Sequence, residues 1–307
     1  MTLSERKYRR SFGDLSEGTL AFWLLLPAGL LLGLIALYPV GRLIYTSFFK
    51  QRLSEGPQAT LIGFSNYAQA FADERFWNAF WNTAKIVVVT VPGALVVGLL
   101  LALIANLPFR IKWPVRLGLL LPWALPLIFV GLIFQWFFDS QYGIVNDVLI
   151  RLGLERQYWL IQPSLAFWAI CWTIIWKTSS FVALILLAGL QVIPSELYEA
   201  AEVDGASRWA AKSRWQGFWR ITLPLLTPAI LVALIFRTIT AFQTFDIPYA
   251  MTKGGPGTAT ETLAMYIRTE SIENLNFGYG SALAVLLFLV SLAITVVYLR
   301  YVRGGDE

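Results

Sequence analysis

The 307-residue sequence contains no histidine and one cysteine, Cys171. The absence of histidine excludes imidazole proton relays, and a lone cysteine excludes intrachain disulfides and Cys/His metal sites. Cys171 lies inside a long apolar run, where a free thiol behaves as a small hydrophobe, so we expect it to be buried and inert.

Nucleotide-binding and catalytic motifs are also missing. No G-x-x-x-x-G-K-[ST] sequence occurs, so we do not expect the chain to bind ATP as P-loop proteins do. No polar cluster typical of an active site is visible either. The sequence therefore predicts a protein that is not an enzyme, has no catalytic or metal-binding residues and binds no cofactor itself. The net charge of +5 gives no reason to expect nucleic-acid binding.

Apolar residues make up most of the chain. The sequence is 57% hydrophobic and 14% charged, with a mean hydropathy of +0.62, which is too apolar for a soluble domain of this length. The first apolar run is longer than the core of a signal peptide and lacks a clear cleavage site, so we interpret it as an uncleaved helix. Six apolar runs predict membrane-spanning helices: about 20–45, 84–106, 115–138, 164–190, 223–245 and 281–302.

These runs predict an all-α, polytopic membrane protein. The transmembrane domain comprises residues 19–303, between a tail at 1–18 and a tail at 304–307. Pro122 and Pro126 lie within the third run and predict a kink there, since proline removes a helical hydrogen bond.

The distribution of basic residues predicts the orientation. Residues 1–18, 107–116, 191–222 and 300–307 contain 13 lysines and arginines, whereas the segments 50–81, 139–163 and 246–276 contain 7. The positive-inside rule therefore predicts that both termini and the loop 191–222 are cytoplasmic.

The loop 191–222 is charged and has helix-forming composition. Pro194-Ser195 is typical of a helix start, and Asp204-Gly205 is typical of a turn that ends one. Leu197, Ala200 and Ala201 follow helical spacing and form a narrow face of small residues. We interpret this loop as a helix-turn-helix that is presented to a protein partner.

Two motifs carry a family resemblance. Glu199-Ala200-Ala201, Asp204-Gly205-Ala206 and Ile221-Thr222-Leu223-Pro224 resemble the EAA loop of ABC importer permeases. The segment 245–256 is similar to the segment that follows the fifth helix in sugar and glycerol-phosphate permeases. With the spacing of the spans, the resemblance covers nearly the whole chain. One departure is a repeated Ser-Arg-Trp, at 207–209 and 213–215.

The resemblance implies a type I ABC importer permease architecture in the plasma (inner) membrane of a prokaryote. It implies a second permease subunit in a heterodimer, two cytoplasmic ATP-binding subunits that carry ATP and Mg, and an extracytoplasmic solute-binding protein. A sugar or sugar-like solute would cross the lipid bilayer by alternating access. The residues that the resemblance assigns to ATPase coupling are Glu199, Ala200, Ala201, Asp204, Gly205 and Ala206.

Two basic residues lie deep within predicted spans. Lys177 and Arg237 are each about thirteen residues into their helices, where charged side chains face a bundle interior or a wet cavity. One interpretation places both beside the solute pathway; the other pairs them with backbone carbonyls or a neighbouring subunit. The other predicted pathway residues lie where the fifth run ends, a region that the resemblance places beside the solute path. They supply aromatic faces and planar polar groups, which bind sugars. They are Phe242, Gln243, Phe245, Asp246 and Tyr249.

An ion- or proton-coupled secondary transporter is the alternative function. Such a protein would use carboxylates or broken-helix ion sites within the membrane. The predicted spans contain no aspartate, glutamate or histidine, which disfavours this alternative.

Overall fold

Helices dominate the architecture. The computed structural model describes residues 16–56, 58–107, 113–203 and 217–303. In those ranges the one sheet is an antiparallel pair of two-residue strands, β1 (Phe49–Lys50) and β2 (Thr60–Leu61), so the all-α prediction is confirmed. The α-helices are α1 (Glu17–Leu32), α2 (Tyr38–Thr46), α3 (Ser65–Ala72), α4 (Glu74–Ala105), α5 (Trp113–Ala124), α6 (Leu127–Phe137), α7 (Ile144–Arg151), α8 (Pro163–Val192), α9 (Glu196–Val203), α10 (Leu223–Phe242), α11 (Asp246–Thr252), α12 (Leu263–Arg268) and α13 (Phe277–Arg303).

Five helical segments are long and apolar enough to cross a bilayer, and counting one bent pair as a further span gives six, the predicted number. The bent pair is formed by α5 and α6, whose axes differ in direction by 96°. The five single spans are Gly18–Ser47, Glu74–Ala105, Pro163–Val192, Phe218–Phe242 and Phe277–Tyr298.

Only one of the two prolines in the third span breaks the helix. Pro122 lies within α5, whereas Pro126 is the N-cap of α6 with an extended backbone (φ −60°, ψ 140°). Proline disfavours helical conformation in the residue before it, so the chain leaves the helix at Leu125. The predicted kink is therefore a complete break.

Two segments differ from the sequence-based boundaries. Helix α4 begins at Glu74, ten residues before the predicted start, because Asp73 caps it by accepting a hydrogen bond from the backbone N–H of Arg75 (2.8 Å). The segment 139–163, predicted as a loop, contains α7. In both cases the helix is too polar to be recognised from hydrophobicity alone.

Helices α4 and α8 form the centre of the bundle. A Cβ atom on Gly93 would lie 2.6 Å from Ile175, and one on Gly98 would lie 2.6 Å from Val182, so glycine permits the close approach. These contacts advance in the same direction along both helices, which therefore run parallel. Cys171 is fully buried on α8, as expected for a small hydrophobe.

Two further contacts complete the bundle. In the first span, α2 packs against α13, while the most apolar part of that span has no buried residue. Helix α11 packs along α6, where Gly131 permits close contact: a Cβ there would lie 2.5 Å from the Cβ of Ala250. The part of α6 that follows the break thus lies next to α11.

Candidate functional site

Helix α9 coincides with the first half of the predicted coupling loop. The carbonyl oxygen of Ser195 accepts hydrogen bonds from the N–H groups of Tyr198 (3.0 Å) and Glu199 (3.1 Å), which starts the helix where the Pro-Ser pair predicted. Glu199 and Ala200 are exposed, as a docking surface requires. Ala201 lies in the helix. Asp204, Gly205, Ala206 and both Ser-Arg-Trp repeats lie outside the described residues.

The hydroxyl of Tyr198 connects α9 to the fifth span. It lies 3.0 Å from Oγ1 of Thr222, at the end of the π-helical turn that leads into α10. This contact was not predicted from the sequence; the position of Thr222 within the Ile-Thr-Leu-Pro motif is the signal that could have indicated it. Helix α9 is thus joined to the start of the fifth span by a hydrogen bond between two side-chain hydroxyls.

Lys177 is bound to the break between α5 and α6. Its side chain is 6% exposed, and Nζ donates a hydrogen bond to the carbonyl oxygen of Trp123 (2.6 Å). In a continuous helix that carbonyl would accept from the N–H of residue 127, so the break frees it for another donor. The structure therefore places Lys177 on a backbone carbonyl, one of the two arrangements considered from the sequence.

Arg237 has a different environment. It is 4% exposed, and its guanidinium donates to the hydroxyl oxygens of Thr90 (3.2 Å) and Thr240 (3.3 Å). Its Nε is buried without a hydrogen-bond partner. Within the part of the chain that the structure describes, no carboxylate forms an ion pair with it. Arg237 is thus a buried cation held only by neutral groups.

A cavity of about 100 Å³ lies at Arg237, between α6, α8, α10 and the start of α11. It brings together four of the seven predicted pathway residues and adds three threonines that the sequence analysis missed. Thr90 and Thr178, near this cavity, are close to the midpoints of α4 and α8, so the cavity lies midway along the bundle. The lining residues are Leu127, Ile174, Thr178, Arg237, Thr240, Gln243, Thr244, Phe245, Asp246 and Ile247.

The other predicted aromatic residues lie beside the cavity lining. Phe242 packs against the buried cluster of Val87, Val91 and Ala241 on the α4 side. Tyr249 stacks on Phe245 with a ring-centre distance of 4.9 Å and so supports the wall of the cavity from behind.

A network that we call the clamp joins the start of α4 to the segment around α12. It consists of Asp73, Arg75, Glu261 and Tyr266. Arg75 binds the carboxylate of Glu261 through Nε (2.9 Å) and Nη2 (2.7 Å). Tyr266 donates a short hydrogen bond to Asp73, and Tyr279 donates a second one (2.8 Å).

The clamp perturbs the acidity of its members. Burial raises the pKa of Asp73, but the hydrogen bonds donated by Tyr266, Tyr279 and the backbone lower it more, so the net pKa is below the usual value. The pKa of the Tyr266 hydroxyl is raised, first by burial and then by its hydrogen bond to Asp73. The carboxylate form of Asp73 is therefore the form that the clamp favours.

The described ranges contain no group of three or more histidine, cysteine, aspartate or glutamate residues placed to hold a metal ion. The arrangement is instead that of a helical membrane protein with a polar internal cavity, a broken span and an exposed helix at one end.

Comparison with known proteins gives the class of this membrane protein. Residues 94–303 match the family model described as "Binding-protein-dependent transport system inner membrane component". The match covers more than half of the chain, so the chain belongs to this family. It is the membrane permease subunit of an ABC importer, a multi-pass component of the inner membrane that does not itself catalyse a reaction.

Individual relatives extend over nearly the whole chain. The sulfoquinovosyl glycerol transport system permease protein SmoG of Agrobacterium fabrum is 60% identical over 95% of this chain and 93% of its own. The trehalose/maltose transport system permease protein MalF of Thermococcus litoralis is 36% identical over 98% of this chain and 97% of its own. A crystal structure of a bacterial ABC transporter that imports the acidic polysaccharide alginate contains a similar chain, with a TM-score of 0.81 and 26% identity over 96% of this chain and 99% of that one.

Proposed function

We propose that this permease subunit imports a glycoside and that sulfoquinovosyl glycerol, or a glycoside closely similar to it, is the solute. The observation that carries the proposal is the 60% identity to a sulfoquinovosyl glycerol permease along nearly the full length of both chains. The other relatives described above are also named for saccharides.

The chemistry of the Arg237 cavity supports a polar solute. Hydroxyl, amide, guanidinium and carboxylate groups line it together with the ring of Phe245. Such a mixture of planar hydrogen-bonding groups and an aromatic face suits a sugar. The cavity is smaller than the several hundred cubic ångströms of a typical whole-ligand pocket, so it would accept one end of the solute.

The assembly that we propose has this chain beside a different permease subunit, above two cytoplasmic ATP-binding subunits and below an extracytoplasmic solute-binding protein. A crystal structure of a related transporter contains a permease together with an alginate-bound periplasmic protein. Both termini would be cytoplasmic, in agreement with the excess of basic residues in the loops assigned to that side. ATP and Mg would be held by the partner subunits.

Coupling would run through α9. Glu199 and Ala200 are exposed on a short helix that is hydrogen-bonded to the fifth span at Thr222. Movement of the ATP-binding subunits would displace α9 and, with it, the fifth span, which lines the cavity at Arg237. The cavity would then be exposed to each side of the membrane in turn.

A secondary transporter has less support. The described spans contain one acidic residue, Glu74, at the first position of α4. A proton- or sodium-coupled carrier normally needs a carboxylate or an unwound backbone site inside the membrane. The backbone is unwound at the break between α5 and α6, but the carbonyl of Trp123 there accepts a hydrogen bond from Lys177.

The test is transport by the reconstituted four-subunit complex in proteoliposomes. We expect uptake of sulfoquinovosyl glycerol that requires ATP and the solute-binding protein and is unaffected by sodium or proton gradients. Glu199→Lys should abolish solute-stimulated ATP hydrolysis without affecting membrane insertion, while Glu155→Lys, at an exposed site in another segment, should have no effect. Gradient-driven uptake without ATP would disprove the ATP-driven mechanism.

A further inference from the structure

Arg237 is a buried cation that has no anionic partner among the described residues. A charged side chain within the membrane is costly and normally pairs with an opposite charge or a backbone carbonyl, or faces a water-filled cavity. Arg237 is 4% exposed and lies beside residues near the midpoints of α4 and α8. Its partners Thr90 and Thr240 are neutral, and its Nε has no partner. The described part of the chain thus leaves this charge uncompensated.

A second feature of the same cavity also favours an anion. Helix α6 begins at Leu127, which lines the cavity, and no side chain caps its N-terminus. The first N–H groups of a helix carry a partial positive charge and bind anions. The guanidinium of Arg237 on α10 and the N-terminus of α6 therefore both place positive charge beside the same small cavity.

The volume of the cavity sets the size of the anionic group. At about 100 Å³ it holds roughly three water molecules, which is space for one functional group and not for a sugar ring. Thr178, Thr240 and Gln243 supply further polar groups in the lining. A tetrahedral or planar oxyanion attached to a larger solute fits these dimensions and this set of donors.

Asp246 is the one carboxylate among the lining residues, and it forms no ion pair with Arg237. It lies in the first turn of α11, where a negative charge is locally favourable. Its oxygens can accept hydrogen bonds from sugar hydroxyls, while its charge opposes a second anion. We therefore expect the charge of Asp246 to oppose an anion in the same cavity, which a variant that removes this charge can test.

From these observations we propose that Arg237 and the N-terminus of α6 form a subsite for an anionic group of the transported glycoside. In sulfoquinovosyl glycerol this group is the sulfonate of the sulfoquinovosyl sugar. The proposal rests on the solute class proposed above and assigns a specific residue to it. Arg237 would select the charged sugar over its uncharged counterpart, and Asp246 would face the hydroxyl-bearing part.

The experiment measures binding to the purified four-subunit complex without the solute-binding protein, by the ligand-dependent rise in Tm over a concentration series. The probes are sulfoquinovosyl glycerol, glucosyl glycerol with a hydroxyl in place of the sulfonate, and inorganic sulfate. For Arg237→Gln we expect affinity for the sulfonated glycoside to fall by about 10- to 100-fold, the range for a lost hydrogen bond to a charged group, with the affinity for glucosyl glycerol nearly unchanged. Lys85→Gln, which removes a cation of α4 outside the cavity, should change neither affinity.

Asp246→Asn is the second variant, and we expect it to change the affinity for the sulfonated glycoside in the opposite direction. Removal of the like charge should raise the affinity for the sulfonated glycoside several-fold, relative to that for glucosyl glycerol, so this variant tests the subsite even where Arg237→Gln does not fold. The proposal is overturned if both variants leave the ratio of the two affinities unchanged, or if sulfate binds as tightly as the glycoside. A wild-type complex that binds neither glycoside would instead reject the proposed solute class.

Discussion

The two ends of the α4–α8 pair are held together in very different ways. At the end where both helices begin, the clamp joins α4 to the segment around α12 by a bidentate ion pair, and Tyr266 on α12 and Tyr279 on α13 donate hydrogen bonds to one carboxylate oxygen of Asp73. At the end where both finish, α9 is tied to the fifth span by the hydrogen bond between Tyr198 and Thr222. Among the described residues, charged groups thus hold the first end, whereas two neutral hydroxyls connect α9 to the fifth span at the second.

This difference suits the assembly proposed above, in which the ATP-binding subunits act at the α9 end and the solute-binding protein docks at the other end. A surface that receives a solute-binding protein needs elements fixed relative to one another, because buried ion pairs are strongly destabilised when one partner is displaced. A helix that follows the movement of an ATPase needs contacts that cost little to distort. The following predictions test this comparison, starting with the largest expected effect.

Arg75→Ala should have the largest effect on stability. It leaves the Glu261 carboxylate, whose side chain is 7% exposed, without its cation. Since Arg75 itself is 40% exposed, we expect the free energy of unfolding to fall by about 2–3 kcal/mol, less than for a fully buried pair. Denaturant unfolding of the detergent-solubilised protein, followed by tryptophan fluorescence, would measure it.

The matched control is Arg52→Ala, which removes an exposed arginine lying 3.7 Å from Glu55. Exposed ion pairs contribute roughly 0–1 kcal/mol, so this variant should be close to wild type. Equal losses in the two variants would mean that the clamp is no stronger than a surface contact.

Asp73→Asn should have an intermediate effect. Because the folded pKa of Asp73 is lower than its unfolded value, the carboxylate stabilises the fold above the unfolded pKa of about 3.9, and this contribution is lost as the pH falls through the folded pKa. We expect the variant to lose about 1–2 kcal/mol at pH 7 and to show a weaker pH dependence below pH 4 than the wild type. Measurements of Tm for the variant and the wild type between pH 3 and 7 would show both the loss of stability at pH 7 and the change in pH dependence.

Asp147→Asn provides the comparison for this measurement, since Asp147 is an exposed carboxylate paired with Arg151 one helical turn away. Its stability should hardly change at pH 7. An acid profile of Asp73→Asn that matches the wild type would show that Asp73 is not the group that titrates.

Tyr198→Phe should have the smallest effect on stability, about 1 kcal/mol or less, because it removes one partly buried hydrogen bond. Its effect on function should be larger: solute-stimulated ATP hydrolysis should fall several-fold, because α9 loses a direct contact with the fifth span. Combination with Thr222→Val should add little to either effect, since both variants break the same bond.

Tyr142→Phe, at a residue that is 84% exposed, is the control for loss of a tyrosine hydroxyl. If Tyr198→Phe leaves solute-stimulated ATP hydrolysis unchanged, and the effects of the two substitutions add in the double variant, this hydrogen bond does not couple α9 to the fifth span.

Most of the architecture could be predicted from the sequence. The spans and the burial of Cys171 followed from hydrophobicity alone, and α9 followed from its charge and its Pro-Ser start. These features depend on local composition, because a segment that crosses a bilayer needs a predominantly apolar composition and internal backbone hydrogen bonds. Helix α7 and the first turns of α4 were not predicted, because they are more polar and the requirements on a membrane-crossing segment do not apply to them.

Lys177 and Arg237 show what only the tertiary structure decided. In the sequence they are equivalent: each is a cation at similar depth in an apolar helix. In the fold, Lys177 reaches the carbonyl of Trp123 that the break at Pro126 frees, whereas Arg237 reaches only threonine hydroxyls and a cavity. Burial depth is a property of one helix, but the partner of a buried charge depends on which neighbouring backbone is broken and where α4, α6, α8 and α10 meet.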